Sequence, residues 1–260
     1  MFAHSMNTVR AVALNTFRES VRERVLVVAV LFGAILMGSS VFLSPLAVGA
    51  KQKIVMDVGL AAISIVGVLV AVFLGSALVH KEVDREAIYL VLTRPVSRCA
   101  YLVGKLAGVV TAVSCMFIIM TAIMIGAIML GSGALRPAVF ACLYLSLLET
   151  IVISSLVMFF STFTTPMLSA FFTLCMFAAG SLSGDLRIFA SKFGGAGMKA
   201  VASVFYYLLP NLKVFNLRHE AVHDLPFQGT DCLLATLYAA VYSAVVMYFA
   251  CLAFRRREFK

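Results

Sequence analysis

Three sets of residues carry the types and spacings from which chemistry can be built. The first is His219-Glu220-Ala221-Val222-His223, an H-E-x-x-H match. On a helix it sets two imidazoles on one face for zinc, with the glutamate between them as general base. A catalytic zinc needs a third ligand. The only later glutamate, Glu258, falls across the membrane in the topology derived below, which leaves Asp224 and Asp231 as weak candidates. The expectation is therefore two solvated histidines on an outer helix, with His219 and His223 as weak metal candidates and a membrane-embedded zinc hydrolase as the rival function. The second is Glu149, midway along an apolar run, where a carboxylate is costly and is by default functional. It lines a substrate path or pairs with a polar group across an interface, or else makes a structural hydrogen bond to Ser or Thr of a neighbouring helix. The third is Gly104-Lys105, which is no phosphate loop, because Leu106 stands where Ser or Thr must follow and Cys99 where the first glycine is needed. Nucleotide chemistry must come from another chain.

What positions these residues is a string of apolar runs. The chain has 260 residues, 62% hydrophobic and 13% charged, with a mean hydropathy of +1.04. Soluble domains carry about 25% charged residues, so this is a polytopic membrane protein forming one domain. Six runs, near 25–43, 58–78, 106–130, 137–159, 166–182 and 231–254, approach the ~20 residues that cross a bilayer as a helix. The predicted fold class is all-α with six transmembrane helices. Before them, residues 7–24 place Val9, Val12, Thr16, Phe17 and Val21 at helical spacing, with Arg10, Arg18 and Arg22 elsewhere on the wheel. That pattern predicts an amphipathic helix lying in the interface. No signal peptide is expected.

Charge sets the orientation. The formal charge is +9, and it reads as a topology signal rather than a nucleic-acid surface. Arg10, Arg18, Arg22 and Arg24, then Lys81, Arg85, Arg94, Arg98 and Lys105, then Arg255, Arg256, Arg257 and Lys260 fall on one face. That face is cytoplasmic, with both termini on it, in a bacterial inner membrane. Lys51, Lys53, Arg136, Arg187, Lys192, Lys199, Lys213 and Arg218 are expected in outer loops. The long outer segment 183–230 contains an apolar, Pro-broken run at 198–210 that predicts a re-entrant or interfacial helix pair ending near Pro210. Asp57 and Asp231 read as boundary residues. Gly104-x-x-x-Gly108 and Gly180-x-x-x-Gly184 permit close helix packing. The six cysteines are scattered and support neither disulfides nor a metal site.

The most charged block is 80–105, HKEVDREAIYLVLTRPVSRCAYLVGK. Residues 80–91 predict a short cytoplasmic helix, with Glu82 and Arg85 able to pair at i,i+3, and Arg94-Pro95 breaks the chain before it returns to the membrane. Asp57-Val58-Gly59-Leu60, Lys81-Glu82 with Ile88-Tyr89, Arg94-Pro95-Val96-Ser97-Arg98, Gly104-Lys105, the run 159–166, Leu209-Pro210-Asn211-Leu212 and Phe215-Asn216-Leu217 together resemble the permease subunits of ABC-2 type transporters. The likeness is greatest to the short permeases that include the copper-maturation permeases of nitrous oxide reductase. It implies a homodimer docked on a separate ABC ATPase that binds ATP and Mg, with no cofactor on this chain and export as the direction. Residues 7–24 would be the elbow helix. Residues 80–91 would be the coupling helix, with Lys81, Glu82, Asp84, Arg85, Glu86, Tyr89, Arg94 and Arg98 as the ATPase contact. Ser161–Pro166 would be a second, smaller contact. Membrane lipid is the other partner, nucleic acid is not one, and a non-transporting membrane anchor for an ATPase is the third function consistent with the residues. The transported species is not legible.

Overall fold

A computed structural model describes residues 2–43, 51–83, 98–130, 137–193, 209–223 and 229–256. The order is α1 (Phe2–Arg22), α2 (Arg24–Leu43), α3 (Lys51–Val83), α4 (Arg98–Leu130), α5 (Pro137–Ser161), α6 (Pro166–Phe193), a 3-10 turn (Leu212–Phe215), α7 (Arg218–His223) and α8 (Gly229–Arg256). No strand occurs among the described residues. Four stretches, Gln52–Leu78, Cys99–Met129, Pro137–Ser161 and Gly229–Phe254, are long and apolar enough to cross a membrane. The apolar parts of α2 and α6, Arg24–Ser39 and Pro166–Leu182, are shorter. The protein is therefore an all-helical, membrane-embedded bundle.

α3 and α5 form its centre. α3 packs on α2, α4, α5 and α6, and α5 is also flanked by α8. Small residues on α3 set that closeness. Gly59 and Gly67 face Met124 and Phe117 of α4, while Gly67 and Gly75 face Thr150 and Val157 of α5, so glycines eight apart let α4 and then α5 come close to α3 as its faces turn. With no hydrophobic effect between helices in lipid, close backbone approach of this kind supplies the packing.

α1 lies along α4. Val9, Val12, Thr16 and Phe17 form the packed face as their spacing predicts, whereas Val21 is exposed. The Gly104-x-x-x-Gly108 motif is the seat for α1. A methyl group on Gly108 would stand 2.7 Å from the Ala13 carbonyl oxygen, and one on Gly104 3.0 Å from that of Val9. Gly180 is likewise a contact glycine, but its neighbours are Pro210 and Leu212 rather than another helix.

Three expectations are corrected. Lys105, counted as a loop charge, is inside α4 and 1% exposed. Its ammonium donates to the Leu78 carbonyl of α3 and lies 5.5 Å from the Tyr101 ring centroid. The aliphatic stem fills the α3–α4 contact while the head finds carbonyl and aromatic partners, which is what makes a buried lysine tolerable. Lys51 and Lys53 belong to the first turn of α3, not to a loop. α6 continues past residue 182 to Phe193, so the outer connection is shorter than expected. The proposed coupling helix is only partly within view. Residues 80–83, with Lys81 and Glu82, continue α3, and Arg98 opens α4, while Asp84, Arg85, Glu86, Tyr89 and Arg94 lie outside the described residues. Residues 198–208 of the expected re-entrant pair lie outside them too.

Candidate functional site

The segment after residue 208 turns back into the bundle. Leu209, Pro210, Leu212 and Phe215 are buried, the last two at 1% exposure. The 3-10 turn packs on α5, α6 and α8, and α7 sits between α3 and α5. The Pro210 ring removes a donor and the main chain never completes an α-turn here, so backbone groups must find other partners. The Asn211 N–H donates to the Tyr238 hydroxyl of α8 at 2.9 Å, and the Arg218 N–H donates to the Asn216 side-chain oxygen at 3.2 Å. Phe215 stacks obliquely on Tyr238, with centroids 5.9 Å apart.

This irregular segment closes a cavity of about 160 Å³ against α3, α5 and α6, lined among others by Ser64, Cys142, Ser146, Glu149, Phe177 and Arg218. Glu149 thus lines a hollow within the bundle. Among the described residues its carboxylate makes no hydrogen bond or ion pair, so the alternative, a structural bond to a neighbouring hydroxyl, is not what holds it. The hydroxyls nearby serve each other instead. Ser64 and Ser146 join α3 to α5 at 2.8 Å. The Thr150 and Ser154 hydroxyls bond back to the carbonyls of Ser146 and Thr150, at 2.8 and 2.7 Å. Cys142, buried at 2% exposure, lines the same hollow one turn before Ser146.

The mouth is marked by one ion pair. Arg218 Nε donates to Asp57 Oδ1 at 2.7 Å, and both side chains are nearly half exposed. Asp57 was expected to stop in the headgroup layer. It ties the 209–223 segment to α3 about 10 Å along the helix from Ser64, at 1.5 Å per residue. Asp231 is exposed in the first turn of α8, as a boundary residue should be.

α7 carries the H-E-x-x-H match on six residues. His219 is exposed, while Ala221 and Val222 are buried at 0% and 5%. Glu220 turns inward, and its Oε2 is buried with no hydrogen-bond partner among the described residues. The His223 side chain lies outside the described residues, and no group of three potential metal ligands occurs among them. The helix is thus fastened to the bundle by the two apolar residues between the histidines.

A second hollow lies on the other side of α3. It is an open groove of about 890 Å³ between α2, α3 and α6, walled by Val28, Phe32, Val70, Phe73, Phe171 and their apolar neighbours, with Arg24 also on its lining. At the α5–α6 turn, Ser161 and Ser169 hydroxyls bond at 2.7 Å. Phe159, Phe160, Phe163 and Phe172 stack around it, leaving Phe163 and Met167 exposed.

Sequence reasoning missed Arg218, Ser64, Ser146, Cys142 and Phe177 as cavity residues. The i,i+4 row Ser146-Thr150-Ser154 was a readable signal of a polar stripe beside Glu149. The Asp57–Arg218 pairing, 161 residues apart, left none. No curated protein matches the chain. A family model described as protein of unknown function (DUF2705) matches residues 25–259, and the chain belongs to that family.

Proposed function

We propose that this protein is the membrane subunit of an ABC-2 type transporter, which moves a substrate outward using ATP hydrolysed by a separate ATPase chain. In this reading all six apolar helices α2, α3, α4, α5, α6 and α8 cross the bacterial inner membrane, with both termini cytoplasmic. α1 is the elbow helix, and residues 80–91 are the coupling helix. Two copies pair, and ATP and Mg stay on the partner.

The observation that carries the proposal is the placement of Glu149 beside broken backbone. Within hydrocarbon, non-helical main chain is tolerated only where it is buried in protein or lines a cavity. Ionisable groups at mid-span mark substrate or ion paths. Transport proteins combine both features at the midplane. Here residues 209–217 run irregularly against the middle of α5 and share a cavity with Glu149. A static anchor has no need of either feature. The Lys105–Leu78 contact supports the mechanical half of the reading, because it fastens α3 to α4 close to where both helices enter the 84–97 connection. A displacement of that connection by an ATPase would be passed to both helices together.

The test is co-expression of the chain with a candidate ATPase subunit, followed by purification and measurement of ATP hydrolysis. A stable complex is expected, and changing Glu82 and Arg85 together to Ala should dissociate it or uncouple its hydrolysis, because close interfacial charge pairs contribute ~1.5 kcal/mol or more. A complex indifferent to the double substitution would remove residues 80–91 from the docking role, and failure of any ATPase to bind would remove the transporter reading.

A further inference from the structure

We infer that the Glu149 cavity is a binding site for a small protonated amine. The inference deepens the proposal that Glu149 lies on a substrate path and rests on it for its meaning in transport, though the binding itself is a property of this chain alone.

The argument starts from charge. An ionised carboxylate in the middle of an apolar helix needs a compensating cation. Among the described residues none is paired with it. Glu149 has no ion pair among the described residues, Arg218 is committed to Asp57 at the mouth, and Lys213, which also lines the cavity, is exposed. A proton or a bound cation must therefore complete the site.

The wall selects among cations. The Ser64 and Ser146 hydroxyls and the Cys142 thiol lie on the same lining as the carboxylate. Together they offer one anionic and several neutral acceptors, fewer hard oxygens than the six to eight that a calcium ion takes. Ile65, Leu212, Phe177 and Phe215 complete the wall. Aromatic faces beside a carboxylate are the recognition chemistry of an organic ammonium, which donates hydrogen bonds to the anion while its carbon chain and positive charge rest on the rings. A cavity of about 160 Å³ is well above the ~10–15 Å³ that admits one water, and has room for several waters or for a ligand of a few heavy atoms. An amine of this kind can arrive as a free molecule or as the headgroup of an aminolipid.

The test is saturable binding of radiolabelled n-propylamine to the purified full-length chain in phosphatidylglycerol vesicles. Binding should be displaced by unlabelled ethylamine but not by propan-1-ol, its neutral analogue. Glu149→Gln should weaken it at least tenfold, and Phe177→Ala about fivefold. The competitor arm needs no variant and stands even if Glu149→Gln fails to fold. Repeating the measurement in phosphatidylethanolamine vesicles separates the sources: suppressed binding assigns the site to a lipid headgroup, and unchanged binding assigns it to a free amine. Absence of saturable binding, equal displacement by propan-1-ol, or a well-folded Glu149→Gln that binds as the parent does would overturn the inference. An ATPase complex that forms and hydrolyses normally alongside such a result would leave the transporter reading standing.

Discussion

Two hollows flank α3, and they are opposites. One is small, walled by hydroxyls, a thiol and a carboxylate, and closed by irregular chain on the side where α3 and α5 begin. The other is several times larger, almost wholly apolar, and lies toward the end where α3 finishes and α6 begins. α6 lines both, with Phe177 and Ser181 on the first and Met167, Phe171 and Leu174 on the second. The contrast shows that polarity in this bundle is placed, not scattered. Apolar grooves of that kind are what a bilayer or a second subunit fills without any polar guide, whereas a polar pocket at mid-span is expensive and needs a use.

The sharpest way to break the contrast is to put a charge on the wrong wall. Val70 is 2% exposed and lines the groove. Val70→Asp should cost ~3 kcal/mol and abolish monodisperse purification, as a carboxylate at a helix centre does when nothing accommodates it. Glu149 lies at a comparable depth and is tolerated, so near-native stability of Val70→Asp would mean the groove is wetter than its lining implies.

Gly108→Leu is the control that touches neither hollow. It forces a side chain against the α1 backbone and should lower stability by ~2 kcal/mol, seen as a lower midpoint in a thermal size-exclusion assay. Limited proteolysis should then release α1 first while the reactivity of Cys142 stays unchanged.

Glu149→Leu reverses the first experiment. Removing an uncompensated acid should leave thermal stability unchanged or raise it by ~1 kcal/mol. A marked loss of stability would show that the carboxylate is structural. The smallest effect is expected at the mouth. Asp57→Asn breaks a single, half-exposed ion pair worth well under ~1 kcal/mol. With the other five cysteines replaced by Ala, it should still speed modification of Cys142 by a charged thiol reagent, because the 209–223 segment loses its tie to α3.

How much of this was legible before the fold was known follows from the range of each signal. The six apolar runs coincide with helices because hydropathy is local and the bilayer demands long uniform stretches. Close packing at Gly104 and Gly108 was legible, since two small residues one turn apart leave a groove, but that α1 fills it was not, because nothing local names the partner. Lys105 was misread because a charge next to a charged block looks like a loop residue, and nothing local reveals a carbonyl and an aromatic ring waiting on it. Glu149 stood out by its position alone. Its surroundings did not, because the cavity is assembled from Ser64, Ser146, Phe177 and Arg218, residues that meet only when α3, α5, α6 and the 209–218 segment pack. Asp57 and Arg218 were both assigned to the outer side, and charge counting has no means of joining them.

The most direct measurement compares two positions on α6 in a cysteine-free background, Ser181→Cys beside the polar cavity and Phe171→Cys in the groove. Each protein would be reconstituted in vesicles with the outer face exposed, and treated with a charged, membrane-impermeant thiol reagent and separately with a lipophilic maleimide. The account predicts that Ser181→Cys reacts with the charged reagent and Phe171→Cys only with the lipophilic one. Equal labelling of both positions by the charged reagent, or protection of Ser181→Cys from it, would contradict the claim that the Glu149 cavity is a water-reached site distinct from the lipid-facing groove.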